Sequence, residues 1–430
     1  MLKVIKKKFN TDANKLAIFG GPRFIKKKFK NFNTYDDKEL KAGNSVLKTG
    51  VLSGFIAEKT KNFYGGKHVR KLEKKFTEYF QCKYAITVNS WTSGLVCAVG
   101  ALNIHPGDEI IVTPWTMTAT ASAILAWGAI PIFSEIDFNT YCLDPEKIEN
   151  KITKKSKAIV VADIFGQSAD YRKIMKLAKK YNLKVISDSA QAIGSKHFND
   201  FTGTNADIGG YSLNRHKHIH SGEGGVIITN NKKLAENMFK IRNHGECINE
   251  DKNFRNLLGF NFRMGEVEAA VAYEQLKKLK KIIIKKQKAA NLLTGHLKKI
   301  EGLKTPFVSK MNTHVYYCYP MQIDENKILT NKSYICSALK AEGVPIEDRY
   351  INLQDYLIYT NPNINKCFPW KLSKNKKLYS RSNNMYKQIN RLQKSKFLMI
   401  EFCSYDFEKK DIILMVKAFQ KVWSTLIKSK

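Results

Sequence analysis

Between Tyr84 and Asp188, short β-branched runs alternate with stretches of helical periodicity, and this alternation limits the fold more than any other feature of the chain. The runs are YAITV (84–88), EIIVT (109–113), IPIF (130–133), KAIVVADI (157–164) and KVISD (184–188). Between them, residues 92–102, 119–127, 145–152 and 171–181 have helical periodicity. Strand, helix and strand in this order make right-handed crossovers and a largely parallel sheet covered by helices. The expected class is therefore α/β. Ligands of such sheets sit beyond the carboxyl ends of the strands, so the residues just after each run are the first candidates for chemistry.

The rest of the chain divides around this core. Residues 1–35 are lysine-rich and weakly patterned, and read as an arm that packs on something else. Residues 36–275 make the expected large domain, which also holds the apolar run 226–229 and a helix from about 232 to 242. A helical run from Glu266 to Leu297 crosses to a smaller α+β domain, 276–430. That part carries the strand-like HVYYCYPMQI (314–323) and helical patterns near 332–342 and 409–427. A chain of 430 residues is long enough for two such domains.

Charge excludes less than its size promises. The formal net charge is +35, from 73 Lys and Arg against 38 Asp and Glu. Clustered on one element, that excess would point to nucleic acid or an anionic membrane. It lies instead in many short runs, such as Lys26–Lys28 and KKLKK (277–281), so no nucleic-acid partner is expected, only a general attraction for anionic substrates. The eight cysteines include no CxxC pair and no histidine at zinc-finger spacing, so free thiols in a reducing compartment and no metal site are expected. No apolar segment follows the basic MLKVIKKKFN, and no window approaches the length of a membrane span. The expectation is a soluble, cytoplasmic protein without a membrane partner.

Four strand ends carry residues of interest. After YAITV, Asn89-Ser90-Trp91-Thr92-Ser93-Gly94 opens a helix, whose N–H groups and hydroxyls can cradle a phosphate or simply cap the helix. After EIIVT, Trp115 and Met117 supply flat or polarizable surface for an aromatic ring. Asp188 ends KVISD, with Gln191 close behind, and a carboxylate ending a buried strand needs a cation or donors. Finally, YSLNRHKHIHSGEGGVIIT (211–229) sets Lys217 in a polar loop ahead of a glycine-rich turn. Any one lysine of this chain is a surface charge by default. Phosphate cradle, stacking surface, buried carboxylate and lysine in one series describe a pyridoxal phosphate site, where the lysine bonds to the aldehyde and the carboxylate keeps the ring nitrogen protonated.

Longer stretches carry a family resemblance: LEKKFTEYFQCKYAITVNSWTSGL, PGDEIIVTPWTMTATASAILAWGAIPIF, VISDSAQAIGS, ADIGGYSLNRHKHIHSGEGGVIITNN, RNHGE and GFNFRMGEVEAA. With these the chain resembles the DegT/StrS family of sugar aminotransferases, over roughly residues 45–300 and more loosely beyond. The resemblance implies the type I, aspartate aminotransferase-like fold of pyridoxal phosphate enzymes, with a mixed, mostly parallel sheet in the large domain. It implies that Lys217 holds the cofactor and shuttles a proton, that Asp188 pairs with the ring nitrogen, and that Gln191 lies near the ring hydroxyl. Thr92, Ser93 and Ser212 would bind the phosphate. Asn261 would reach the phosphate of a neighbouring subunit, implying a homodimer, and Arg263 would face the partner's site to meet a carboxylate or phosphate.

Two positions depart from the family's pattern. Met117 stands where many relatives carry an aromatic residue, leaving Met117 and Trp115 as alternatives for covering the ring, and Trp91 precedes Thr92 where glycine is usual. His216, His218 and His220 flank the lysine, and His218 or His220 would tune proton transfer or bind substrate phosphate unless they are ordinary loop residues. The implied reaction moves an amino group from glutamate or glutamine to a keto sugar, for amino-sugar, polysaccharide or antibiotic-type biosynthesis. The sugar would be an oxo-sugar phosphate, an oxo-octulosonate or a nucleotide-linked keto sugar, the first two slightly favoured by the HKHIHSGEGG wording and the arm. A sugar dehydratase and a basic regulatory protein on a retained fold are the alternatives. Dehydratases of the family replace the lysine by histidine, and lysine here favours transamination.

Overall fold

The alternation folds into five parallel strands of a seven-stranded sheet. In the computed structural model, which describes residues 15–58, 60–246, 257–328, 330–360, 368–372 and 386–425, the five runs become β1 (Tyr84–Val88), β2 (Glu109–Val112), β3 (Ile130–Phe133), β4 (Ser156–Ala162) and β5 (Lys184–Asp188). A small hairpin, β6 (Lys196–His197) and β7 (Asp200–Phe201), precedes β8 (Ile208–Ser212) and β9 (Gly225–Thr229). The sheet order is β1-β9-β8-β5-β4-β2-β3. From β8 to β3 all neighbours are parallel, while β9 runs antiparallel to both β8 and β1. The reversal has a simple cause. From β2 to β5 the parallel strands are joined through helical crossovers and β5 reaches β8 through the β6–β7 hairpin, whereas β8 and β9 are joined directly by the loop that holds Lys217.

Helices close both faces. The helix Trp91–Ala101 buries every residue except Thr92, so its amino-terminal turn offers one side chain to solvent. The helix expected over 145–152 is shorter, Pro145–Ile148, and tightens into a 3₁₀ turn over Glu149–Lys151. The helix Glu266–Leu297 has 32 residues, about 48 Å at 1.5 Å per residue. Its first half buries Ala269, Leu276 and Leu279 against Phe76, Tyr211 and Val226, and its last turns bury Ala290, Leu293 and Leu297 in a separate carboxyl-terminal cluster. One helix thus spans two apolar cores.

The second core lies on an antiparallel sheet, β10 (Leu303–Lys304), β11 (Tyr319–Ile323), β12 (Ile346–Glu347) and β13 (Phe397–Ile400), in the order β10-β11-β13-β12. The strand expected over 314–323 occupies only its second half. Upstream, Val315 N–H donates to Gly166 O at 2.8 Å and Cys318 N–H to Phe165 O at 3.2 Å, so this stretch is tied to the loop after β4. The last helix runs Lys409–Trp423, and residues 426 and 427 of the expected element lie outside the described residues. Leu353, Tyr359, Tyr386 and Leu392 return to the first core, where they join Ile110 and Ile130.

The arm packs on the carboxyl-terminal layer. Leu16 and Ile25 enter its core, and the buried Glu342 carboxylate accepts from Ala17 N at 2.8 Å, Phe24 N at 3.0 Å and the Lys421 ammonium at 2.8 Å. Residues 1–14 of the arm are outside the described residues.

Candidate active site

The loop from β8 to β9 is closed at its base. Leu213 N–H donates to Gly224 O and Arg215 N–H to Gly222 O, each at 2.9 Å, and Ser221 N–H returns to Leu213 O at 3.0 Å. Gly222 and Gly224 adopt φ of +88° and +146°, which only glycine adopts without strain. This turn pins Lys217 inward, buried in a loop whose neighbours Arg215 and His216 are exposed. Among the described residues the Lys217 ammonium pairs with no carboxylate, and Nζ lies 4.3 Å from the centre of the Tyr317 ring. Burial holds the amine below the ordinary lysine value, and the nearby Asp188 carboxylate pulls the other way. A lysine losing its proton more easily than usual is a better nucleophile near neutrality.

Asp188 ends β5 with both oxygens engaged. Oδ1 accepts from Trp91 Nε1 at 2.7 Å and from Ala190 N at 3.3 Å, while Oδ2 accepts from Thr120 Oγ1 at 2.7 Å. The acid is buried but well supplied with donors. Each carboxylate oxygen has two lone-pair directions, so room for a further cationic donor remains.

The turn after β1 has the form of a helix cap. Ser90 Oγ accepts from Ser93 N at 3.1 Å, and Ser93 Oγ donates to Asn89 Oδ1 at 2.6 Å. Thr92 is exposed at the first turn, and Ser212, at the end of β8, accepts from Asn214 N at 3.2 Å. The loop bearing Asn261 and Arg263 lies beside the same turn, with Asn89 N–H donating to Phe262 O at 2.9 Å. Asn261 is exposed, and its Oδ1 accepts from Arg263 Nε at 2.9 Å.

A cleft of about 610 Å³ opens beside these strand ends, lined by Met117, Gln191, Tyr317, Arg349, Tyr350 and Glu401 among others. It separates the two residues that the sequence left as alternatives. Met117 is 46% exposed on the cleft wall, while Trp115 is 0% exposed and packs against Tyr350 and Phe397 at 5.7 and 5.4 Å between ring centres. Gln191 Nε2 donates to the Tyr350 hydroxyl at 2.7 Å, and its Oε1 accepts from Phe165 N at 2.8 Å.

The histidines do not act as a trio. His218 is fully buried and its Nε2 lies 2.7 Å from Val315 O, so that nitrogen carries the hydrogen and the ring is turned away from the cleft. Burial pushes it down to about 3, leaving it neutral. Against the expectation that His218 meets substrate, its ring is spent on Val315 and is not among the residues lining the cleft. His220 is half-buried against the Tyr35 ring, 4.7 Å between centres, and His216 is exposed.

Several residues of the site were not singled out by the sequence. Trp91 carried a signal, a bulky residue in a polar turn. Thr120 follows Met117 by three residues on a helix, a spacing that could have placed both at one end of the sheet. Tyr317 and Tyr350 come from far along the chain and carried none.

These residues fit pyridoxal phosphate: a buried, unpaired amine and a donor-rich carboxylate stand beside the N-terminus of a helix and an open cleft. The comparisons with known proteins agree. Relatives include a dTDP-3-amino-3,6-dideoxy-α-D-galactopyranose transaminase of Aneurinibacillus thermoaerophilus, 37% identical over 68% of this chain and 77% of that protein. A GDP-perosamine synthase of Escherichia coli O157:H7 is 36% identical over 69% of this chain and 76% of its own. The X-ray structure of an aminotransferase from Psychrobacter cryohalolentis superposes with a TM-score of 0.79 at 27% identity, covering 92% of this chain and 99% of the other. The family model of the DegT/DnrJ/EryC1/StrS aminotransferases matches residues 56–380, and the chain belongs to that family.

Proposed function

We propose that the protein is a pyridoxal phosphate-dependent aminotransferase that moves an amino group from glutamate or glutamine to a nucleotide-linked keto sugar. The observation that carries the reading is the Lys217 amine, buried in the same site as Asp188 and, among the described residues, without a carboxylate partner. When bound, the cofactor supplies an aldehyde that takes the donor's nitrogen and a protonated ring that draws electrons from the reacting carbon. Asp188, fixed by its donors, holds the positive ring nitrogen. Lys217 would hold the cofactor, and its free amine would carry the proton to and from the reacting carbon. Thr92, Ser93 and Ser212 would hold the phosphate with the helix N-terminus, Met117 would cover the ring, and Gln191 would serve the ring hydroxyl.

The choice of sugar shifts from the sequence-based preference. The relatives' names carry GDP- and dTDP-linked sugars, which supports the nucleotide-linked class over oxo-sugar phosphates and oxo-octulosonates. Arg349 on the cleft wall offers such a substrate a guanidinium for its phosphates. The active unit in this reading is a homodimer, with Asn261 and Arg263 completing the partner's site. The buried thiols Cys82, Cys97, Cys142, Cys318, Cys336 and Cys403 support work in a reducing compartment such as the cytoplasm.

Borohydride treatment of protein reconstituted with pyridoxal phosphate is the test. Mass spectrometry is expected to find the pyridoxyl group on Lys217, and prior addition of glutamate or glutamine is expected to prevent it. A panel of GDP-, UDP- and dTDP-linked keto sugars against sugar phosphates then identifies the acceptor. No fixation on Lys217 would sink the reading.

A further inference from the structure

The indole of Trp91 fills a slot for which the strand β8 and its own helix give up side chains, while β9 gives one up beside its backbone. A Cβ on Gly210 of β8 would lie 2.1 Å from Cζ3 and 2.3 Å from Cη2 of the ring, and one on Gly94, a turn along the helix, 2.7 Å from Cε3. A Cβ on Gly225, at the start of β9, would lie 2.8 Å from both N and Cα of Trp91. None of these contacts is available to any side chain larger than hydrogen, so the slot is shaped for the ring. The ring is buried, and its one polar atom, Nε1, points at Asp188 Oδ1 at 2.7 Å.

An indole N–H donates only and does not ionise, so this bond needs an acceptor at Asp188 at every working pH. The opposite oxygen is held in the same way. Thr116 Oγ1 lies 3.0 Å from Thr120 Oγ1, and because Thr120 donates to Asp188 Oδ2, Thr116 must be the donor of the pair. Two short side-chain donors on different oxygens fix the plane of the carboxylate, where Thr120 with only the longer Ala190 N–H bond at 3.3 Å would hold it less firmly. A fixed plane aims the remaining lone pairs in one direction.

We propose that Trp91 and Thr120 are positioning residues that fix the Asp188 carboxylate so that its free lone pair meets the ring nitrogen of the cofactor. The inference rests on the cofactor reading above and adds to it how the acid is oriented. Neither residue touches the reacting atoms. Their contribution is to aim a charge-assisted hydrogen bond, whose loss is felt only by a ligand that carries the ring nitrogen.

The test compares dissociation constants of pyridoxal phosphate and of its deaza analogue, in which carbon replaces the ring nitrogen, for the full-length wild type, Trp91→Phe and Thr120→Val. Phenylalanine still occupies most of the glycine-lined slot and valine matches threonine in shape. Each variant is expected to bind pyridoxal phosphate about tenfold more weakly, the scale of a misaligned hydrogen bond to a charged group, with binding of the analogue changed less than twofold. A role confined to packing would weaken both ligands equally, and that outcome, or no change in either, overturns the proposal. Should Trp91→Phe not fold, Thr120→Val decides alone. If the wild type itself is not fixed on Lys217 by borohydride, the cofactor reading fails. If it is fixed and the ratio does not move, only the positioning role fails.

Discussion

The ammonium nitrogen of Lys217 stands 4.3 Å from the centre of the Tyr317 ring, so the loop between β8 and β9 meets the segment leading into β11 through a cation on an aromatic face as well as through the His218–Val315 hydrogen bond. The contact stabilises the charged amine, against the burial that depresses it. Replacing Tyr317 with leucine removes the stabilising part and is expected to lower the amine's titration further. The pH midpoint for capture of pyridoxal phosphate by Lys217 then moves to the acid side, while Tyr317→Phe leaves it in place. A midpoint unmoved in the leucine variant contradicts this account.

Gly94→Ala sets two effects against each other. Alanine favours a helix interior by about 1 kcal/mol over glycine, but here its Cβ would sit 2.7 Å from Cε3 of a rigid, buried indole. Overpacking costs about 1–3 kcal/mol, so the substitution is expected to destabilise. In a Trp91→Ala background the ring is gone and the sign should reverse. Urea unfolding of the four proteins measures both, and equal effects in the two backgrounds would refute the packing argument.

His218 and His314 are both pushed down to about 3 by burial. The unfolded chain binds protons on them near 6.5, so between about 6.5 and 3 unfolding takes up more protons than the folded state holds. Stability from these rings is complete above about pH 6.5 and falls as the pH drops, by up to ~1.4 kcal/mol per unit for each ring. Unfolding midpoints at pH 7 and 5 are expected to differ less in the His218→Gln, His314→Gln double variant than in the wild type.

Glu342→Ala removes the acceptor that holds Ala17, Phe24 and Lys421 together. The arm should loosen before the rest of the molecule does. Limited trypsinolysis is expected to cut at Arg23 and Lys26 severalfold faster than in the wild type, with the sheet core intact, and an unchanged digestion pattern would show that the apolar contacts of Leu16 and Ile25 suffice.

Much of this was legible in the chain. The β-branched runs at 84–88, 109–113, 130–133 and 184–188 became strands within one residue of their expected ends, because alternation between strand and helix patterns is a local property of the backbone. Asp188 could be picked out because it ends an apolar run at the carboxyl end of a strand, and Lys217 because it sits in a polar loop ahead of a glycine-rich turn, within a stretch that carries the family resemblance. The stretch 314–318 failed as a strand for the opposite reason. Its residues have strand character, yet the loop after β4 claims their hydrogen bonds.

By itself, then, the sequence determined the parallel core, the loop that carries the lysine and the acid at the end of β5, since each follows from the period of the side chains along one segment. Only the tertiary structure decided that Trp91 and Thr120 grip Asp188, that Met117 and not Trp115 lines the cleft, and that His218 turns to Val315 while Lys217 turns to Tyr317. Those relations join residues separated by 68 to 100 positions or more, and a hydrogen bond or ring contact between distant segments leaves no period in the chain. It exists only once both segments have been packed against the same sheet.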